Sequence, residues 1–237
     1  MMDAAASCRA IPYPAFPIGA QIMTSPRRAL VLVDVQLQYF SGPLEIHHPP
    51  HADSLPRITA TIDAAEAAGI PIAAIQHSSG DQAPVFNPTM TEFALHPDVE
   101  ARRRPEWKAI TKRFSSVFAE TDLLAWLRAA DVDTVTFVGY MTNNCIIASA
   151  AAAEELGIDV EVLSDATGAI NLANSAGFAS AKTVHSTLMA LLQSNLAAVA
   201  ASGDWMAAVE AGHPLPKDDL PTSAVAGVGR SAHQAGQ

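Results

Sequence analysis

The sequence is poor in cysteine and in charge of either sign. Among 237 residues only two cysteines occur, Cys8 and Cys145, which argues against a disulfide framework and favours a reducing, cytoplasmic compartment. Lysine and arginine number 14 against 24 acidic residues, so the net charge is −10. Because binding to phosphate needs a basic face, this balance argues against a nucleic-acid partner and against an anionic membrane surface. No apolar run reaches the length of a transmembrane helix.

The two ends of the chain lack the hydrophobic periodicity of the middle. Residues 1–20 are rich in Ala and Pro and do not have the charged start and apolar core of a signal peptide. Met23 is therefore the predicted physiological start. From residue 214 onward Pro, Gly, Ala and Ser dominate. We predict a disordered extension over residues 1–26, a single domain over 27–211 and a disordered tail over 212–237.

Between these ends, short apolar runs alternate with helical patterns. Strands are predicted at residues 29–35, 71–76, 107–112, 134–138, 158–163 and 196–200. Helices are predicted at residues 54–69, 122–130, 145–157, 174–195 and 204–211. Strands that are apolar throughout are typical of parallel sheets covered on both sides, and the 49% hydrophobic fraction supplies a core. The pattern predicts an α/β fold with a doubly wound, mostly parallel β-sheet and helices on both faces.

One stretch, residues 134–157, combines a strand, a tight turn and an Ala-rich helix. Gly139 interrupts the apolar run, and Cys145 falls in the first turn of the predicted helix. Free N–H groups and the helix dipole at that position favour a thiolate, which would lower the cysteine pKa, and they could also bind an oxyanion. This predicts a nucleophilic cysteine, and the alternative is a small buried side chain without chemistry.

Two further reactive residues end predicted strands. Asp34 closes the first strand and Lys112 the third. Because the carboxyl ends of parallel strands share one edge of the sheet, we expect both side chains to lie near Cys145. A lysine can lower the pKa of a thiol, and an aspartate can accept the thiol proton and pass it to a leaving group. The three residues together predict acyl transfer through a thioester, although Asp34 could only cap a turn and Lys112 could only form a salt bridge.

With these motifs the chain resembles the isochorismatase-like cysteine hydrolase superfamily, which includes nicotinamidases and N-carbamoylsarcosine amidohydrolases. The resemblance is carried by residues 29–36, by Lys112 with residues 115–123, and by residues 138–146, and it extends over about residues 28–205. It implies an isochorismatase-like hydrolase domain in which Asp34 is the general base, Lys112 stabilises charge and Cys145 attacks a carbonyl carbon.

The resemblance also implies details of the turn before the nucleophile. It implies a cis peptide bond between Tyr140 and Met141, and an oxyanion hole formed by the backbone N–H groups of Met141 and Cys145. Tyr39 corresponds to an aromatic residue of the family's first loop, and Asn144 to a position that the family varies with substrate. Strand-end proximity adds His77, Phe114 and Tyr140 to the pocket, and the alternative is that each of the three serves only packing. The predicted substrate-binding residues are Tyr39, His77, Phe114, Tyr140 and Asn144.

Two departures from the family narrow the chemistry. The nicotinamidase branch carries an Asp-x-His metal pair after its second strand, where this chain has Gln76, His77 and Ser78. We therefore predict no catalytic metal and no cofactor. Isochorismatases proper lack the cysteine, so Cys145 disfavours hydrolysis of a vinyl ether. Three histidines, at positions 47, 48 and 51, lie in a Pro-rich loop and are interpreted as solvated residues rather than ligands.

The sequence as a whole predicts a hydrolase of a small amide or ureido C–N bond. The alternative is a non-catalytic member of the same fold, acting as an oligomeric scaffold or ligand-binding protein. A nucleotide-binding protein ranks last because no G-x-G-x-x-G or P-loop follows a predicted strand. The resemblance and the Ala-rich helix over residues 174–195 predict a homo-oligomer.

Overall fold

The computed structural model describes residues 25–235. Cys8 and the predicted start at Met23 lie outside the described residues. The strands are β1 (Arg28–Val33), β2 (Ile72–His77), β3 (Lys108–Lys112), β4 (Thr134–Tyr140), β5 (Asp159–Gly168), β6 (Leu172–Asn174), β7 (Gly177–Ala179) and β8 (Ala198–Ala200). The α-helices are α1 (His51–Ala67), α2 (Pro97–Glu100), α3 (Leu123–Ala129), α4 (Ile147–Leu156), α5 (Ala181–Leu191), α6 (Ser202–Ala211) and α7 (Leu220–Ala235).

Six of the strands form one sheet in the order β3-β2-β1-β4-β5-β8. Every neighbouring pair in this sheet is parallel. Strands β2 and β3 therefore lie on one side of β1, whereas β4, β5 and β8 lie on the other side. The predicted fold class, a doubly wound and mostly parallel α/β sheet, is confirmed.

The two faces of the sheet are separated by the alternation of side chains along each strand. In β1, Ala29, Val31 and Val33 join a core cluster that includes residues of α3 and α4. Leu30 and Leu32 point to the other side and join a cluster with α1 and α6. Because both faces of β1 are covered, all six of its residues are buried, as expected for a continuous apolar run.

A buried polar network lies in the same sheet. The guanidinium of Arg28 donates to both carboxylate oxygens of Glu161, with Nη2 at 2.7 Å from Oε1. Oε2 of Glu161 also accepts from Thr136 Oγ1 at 2.8 Å and from Trp205 Nε1 at 2.9 Å. The charge of Glu161 is thereby fully paired inside the protein, which a buried carboxylate requires.

The prediction of a helix over residues 174–195 is wrong at its start, because the helix in the structure begins at Ala181. Residues 172–179 instead form the antiparallel hairpin β6–β7, and α5 starts only after Ser180. Gly177 has φ 143°, and Oδ1 of Asn174 accepts from the Ala176 N–H at 2.8 Å, so this segment favours a turn. Ser180 then caps α5 through Oγ, which accepts from the Thr183 N–H at 3.1 Å.

The C-terminal part of the chain also contains a helix. The stretch predicted as a tail includes α7, on which Val225 and Val228 are exposed. The limits of the domain stay a prediction. No helix within residues 25–235 has both the length and the apolar composition needed to cross a bilayer.

Candidate active site

The candidate site lies where the strand order changes direction. Strands β1 and β4 are neighbours at the centre of the sheet, and the chain continues from them to opposite sides. Ligands of open α/β sheets bind outside the carboxyl ends of the strands at such a switch point. Asp34 directly follows β1, Cys145 follows β4 after a short turn, and Lys112 is the last residue of β3.

These three side chains meet in the interior of the protein. Nζ of Lys112 lies 2.7 Å from Oδ2 of Asp34 and 3.2 Å from Sγ of Cys145. Asp34, Lys112 and Cys145 are 0%, 1% and 2% exposed. Within the described part of the chain the Asp34 carboxylate accepts no well-aligned hydrogen bond, so its pairing is the close ionic contact with Lys112. The sequence-predicted constellation is thus a physical cluster of one acid, one ammonium and one thiol.

The backbone brings the ends of β1 and β4 unusually close together. Gly139 in β4 has φ 102°, and a Cβ atom at this position would collide with the carbonyl oxygen of Val33. Only glycine fits such a position. Asp34 itself has φ 48°, which turns the chain out of β1, and its carbonyl oxygen accepts from the Gln36 N–H at 2.7 Å. Both deviations occur at the strand ends that carry the cluster.

A π-helical turn from Thr142 to Ile146 holds Cys145 in front of α4. The peptide bond between Tyr140 and Met141, just before this turn, is cis. The carbonyl oxygen of Met141 accepts from the N–H groups of Asn144 and Ile146, at 3.1 and 3.2 Å. The assignment of the Met141 and Cys145 N–H groups to an oxyanion hole stays a prediction.

Ser149, one turn further along α4, anchors the backbone of the nucleophile. Its Oγ donates to the carbonyl oxygen of Cys145 at 2.6 Å and accepts from the Val117 N–H at 3.0 Å. The loop after β3 is thereby tied to the helix that follows Cys145.

The electrostatics of the cluster differ from the expectation based on the helix dipole. Burial, together with the negative charge of Asp34, raises the pKa of Cys145 to about 12, although Lys112 acts in the opposite direction. Burial also raises the pKa of Asp34 from its ordinary value, and Lys112 again opposes this shift. The predicted low pKa of the resting thiol is therefore wrong, because desolvation disfavours the thiolate more than the neighbouring cation favours it. At neutral pH the resting Cys145 side chain is therefore a thiol.

The residues predicted to bind substrate differ in their burial and in their distance from the cluster. Tyr39 is buried beside the cluster, where burial and the negative charge of Asp34 raise its pKa well above the ordinary value. His77 contacts Lys112, with Nδ1 at 3.2 Å from Nζ. Asn144 is partly exposed in the turn, and Phe114 is 48% exposed after β3. Tyr140 is also buried, with its hydroxyl group 2.8 Å from Ser54 Oγ, and its role in substrate binding stays a prediction.

Phe86 is a residue of the site that the sequence did not indicate. Its ring lies 5.3 Å from that of Tyr39 and 5.0 Å from that of His77, between centroids. It belongs to the long loop after β2 and has φ 51°, an uncommon conformation for an aromatic residue. A phenylalanine in a loop of low periodicity carries no local signal, so only long-range packing reveals this position.

The histidine-rich loop does not form a ligand cluster among the described residues. No three His, Cys, Asp or Glu side chains of residues 25–235 are arranged to hold a metal ion. Nε2 of His51 pairs with Oε1 of Glu45 at 3.2 Å. The ring of His48 lies 5.7 Å from that of His185, which in turn contacts Thr142 Oγ1 at 3.0 Å.

Comparison with known proteins identifies the family of the chain. Residues 28–201 match the family model of the isochorismatase domain. A crystal structure of an isochorismatase-type protein from Burkholderia xenovorans LB400 superposes with a TM-score of 0.85 and 41% sequence identity, covering 88% of this chain and 100% of that chain. The uncharacterized isochorismatase family protein YrdC of Bacillus subtilis is 26% identical over 174 residues, 73% of this chain and 91% of its own length. Streptothricin hydrolase of Streptomyces noursei is 34% identical over 141 residues, 59% of this chain and 49% of its own length.

Proposed function

The chain belongs to the isochorismatase family, and we propose that it is a cysteine hydrolase that cleaves a small amide or ureido C–N bond through a thioester at Cys145. The observation that carries this proposal is the buried contact of three reactive groups, in which the Lys112 ammonium lies 2.7 Å from Asp34 Oδ2 and 3.2 Å from Cys145 Sγ. The similarity to a streptothricin hydrolase supports a hydrolytic function.

The first step is the transfer of the Cys145 proton to Asp34. Because burial raises the pKa of the carboxyl group, Asp34 is a stronger base than an exposed aspartate. The thiolate that forms is 3.2 Å from Nζ of Lys112, and this positive charge stabilises it. Because the pKa of Cys145 is raised to about 12, the thiol does not ionise by itself at neutral pH. It needs Asp34 as the acceptor of its proton.

The thiolate then adds to the carbonyl carbon of the substrate, and the C–S bond forms as the C=O π electrons move to oxygen. The N–H groups of Met141 and Cys145 are the proposed donors to this oxyanion. When the tetrahedral intermediate collapses, the C–N bond breaks and Asp34 gives its proton to the departing nitrogen. Ammonia or an amine leaves, and the acyl group remains on Sγ as a thioester.

Hydrolysis of the thioester repeats the same steps with water. Asp34 accepts a proton from water as the water oxygen attacks the thioester carbonyl. Collapse of the second tetrahedral intermediate breaks the C–S bond, and the proton on Asp34 returns to Sγ. An amide substrate yields a carboxylic acid and a ureido substrate a carbamic acid, and no metal or redox cofactor takes part.

The test is the release of ammonia from a panel of small amides and ureido compounds. Wild type, Cys145→Ala and the control variant Cys8→Ser are assayed side by side, with and without chelator. The expected result is turnover in wild type and Cys8→Ser, none in Cys145→Ala, and no effect of chelator. Full activity of Cys145→Ala would refute the covalent route. Absence of turnover in all proteins, with a Cys145 that also resists alkylation, would favour the non-catalytic alternative.

A further inference from the structure

We propose that His77 is a positioning residue whose Nδ1 atom holds the Lys112 ammonium between Asp34 and Cys145. This inference rests on the proposed function and deepens it, because it concerns how the charge of Lys112 is kept at the nucleophile. It also replaces the substrate-binding role that the sequence predicts for His77.

The strand order places the end of β2, where His77 lies, between Lys112 and Asp34. Lys112 ends β3, and β2 lies between β3 and β1, so the Lys112 backbone is about 10 Å from the strand that carries Asp34. The long lysine side chain has to cross the end of β2 to reach the carboxylate. His77 is the last residue of β2 and the register partner of Lys112, and the Ser78 N–H donates to the Lys112 carbonyl oxygen at 2.9 Å.

Within the described residues the Lys112 ammonium has two hydrogen-bond partners, Cys145 and His77, and one ionic partner, Asp34. A lysine ammonium has three N–H donors and no acceptor. Nζ of Lys112 has three polar neighbours, namely Asp34 Oδ2 at 2.7 Å, Cys145 Sγ at 3.2 Å and His77 Nδ1 at 3.2 Å. Because the Lys112 side chain is 0% exposed, water does not replace a missing neighbour. Loss of Nδ1 would leave a buried N–H without an acceptor and the ammonium free to move.

This arrangement requires a neutral His77 with its proton on Nε2. Burial, and then the positive charge of Lys112, lowers the pKa of His77 to about 4, which keeps the ring neutral at physiological pH. The backbone at Phe114 acts in the opposite direction and raises this pKa. With Nδ1 accepting from Lys112, the single proton of the neutral ring is on Nε2.

Gln36 fixes the backbone of His77 from the side of Asp34. After Asp34 turns out of β1, the backbone of β1 no longer pairs with β2. The buried side chain of Gln36 takes over this pairing, because Oε1 accepts from the His77 N–H at 2.8 Å and Nε2 donates to the His77 carbonyl oxygen at 3.2 Å. A continuous set of hydrogen bonds therefore runs from the end of β1 through His77 to Lys112.

One mechanistic consequence concerns the leaving group. Because Nζ is held between Asp34, Cys145 and His77, Lys112 acts through its charge rather than as the proton donor to the departing nitrogen. The proton for that nitrogen then comes from Asp34. His77 keeps Lys112 in its electrostatic role, and leaves proton donation to Asp34, without touching the reacting atoms.

The test compares His77→Leu, which removes the acceptor, with His77→Asn, whose Oδ1 takes roughly the place of Nδ1, both in a Cys8→Ser background. The readout is the rate of Cys145 alkylation by iodoacetamide as a function of pH. Lys112 lowers the pKa of both Asp34 and Cys145, so a displaced ammonium should move the profile to higher pH. We expect a shift of about one pH unit in His77→Leu, a rate about tenfold lower on the rising limb, and rates within about threefold of wild type in His77→Asn.

The possible outcomes separate the proposal from its alternatives. An unchanged pH profile in His77→Leu would overturn it, even if the melting temperature fell, because a purely structural residue would not affect the thiol. A raised KM with an unchanged alkylation profile would also overturn it and assign His77 to substrate binding. Alkylation needs no turnover, so this result stands apart from the outcome of the amide and ureido panel.

A measurement on the wild-type protein avoids any dependence on the folding of His77→Leu. The ring nitrogens are observed by NMR in protein labelled with ¹⁵N-histidine, and the His77 signals are assigned by their absence in His77→Asn. A neutral ring with its proton on Nε2 at about pH 7 is the expected result. A cationic ring at that pH, or a proton on Nδ1, would contradict the contact with Lys112.

Discussion

Nζ of Lys112 lies 2.7 Å from Oδ2 of Asp34, and both side chains are completely buried. A buried ion pair contributes little to stability, because removing two charges from water offsets most of their attraction. Loss of a single partner is nevertheless strongly destabilising, since the other charge is left unpaired. The location of this pair beside the only cysteine of the described residues is therefore better explained by chemistry than by folding.

Replacement of Lys112 by Met should lower both stability and activity. Adding Asp34→Asn should restore stability only. Lys112→Met leaves the Asp34 carboxylate buried without its cation, and the free energy of unfolding should fall by about 3 kcal/mol at neutral pH. Lys112→Met with Asp34→Asn should recover most of this loss but no turnover. Urea unfolding and the ammonia assay measure the two effects. Simple additivity of the two stability changes would contradict a direct ion pair.

Replacement of Asp34 by Asn should make the thiol more acidic while abolishing turnover. The charge of Asp34 contributes to raising the pKa of Cys145 to about 12, whereas Lys112 lowers it. Without the carboxylate the pKa of Cys145 should fall, although burial still raises it. The ultraviolet absorbance of the thiolate, followed against pH in a Cys8→Ser background with Cys145→Ala as the blank, measures this change. An equal or higher pKa would show that Asp34 does not act on the thiol.

The acid limb of the pH–rate profile should report on Asp34. Proton transfer from Cys145 needs the carboxylate form, and burial raises the pKa of Asp34 above its ordinary value of 3.8 despite the opposing effect of Lys112. Activity should therefore be lost as the pH falls through a pKa higher than 3.8. Because His77 titrates at about 4, the profile should also be recorded for His77→Asn. Disappearance of the acid limb in that variant would assign it to the histidine.

Gly139→Ala should be far more destabilising than the same change at Gly203. The new Cβ atom would collide with the Val33 carbonyl oxygen at a residue with φ 102°. We expect a loss of about 3 kcal/mol in the free energy of unfolding. Gly203→Ala in α6 is the matched control, because nothing lies within 4 Å of its added Cβ, and its effect should stay within about 1 kcal/mol. Similar unfolding midpoints in urea for the two variants would contradict the close approach of β1 and β4.

Patterns in the sequence were sufficient for the elements that depend on neighbouring residues. The apolar runs of β1, β2 and β4 are buried on both faces, and their composition alone distinguishes them from exposed strands. Parallel strands place their carboxyl ends at one edge, so Asp34, Lys112 and Cys145 could be assigned to one site before any distance was known. The hairpin at residues 172–179 was missed because a turn of a few residues interrupts a stretch that otherwise favours a helix.

Other properties depend on which strands are neighbours and on how deeply each group is buried. The position of β2 between β3 and β1 places His77 across the path of Lys112, and no local pattern encodes that order. The direction of the Cys145 pKa shift also follows from packing, because desolvation by burial and the charge of Asp34 outweigh the effect of Lys112. Phe86 reaches the site only because a long loop folds back over Tyr39 and His77. Local sequence therefore selected the reactive groups, whereas long-range packing set their charge, their order and their contacts.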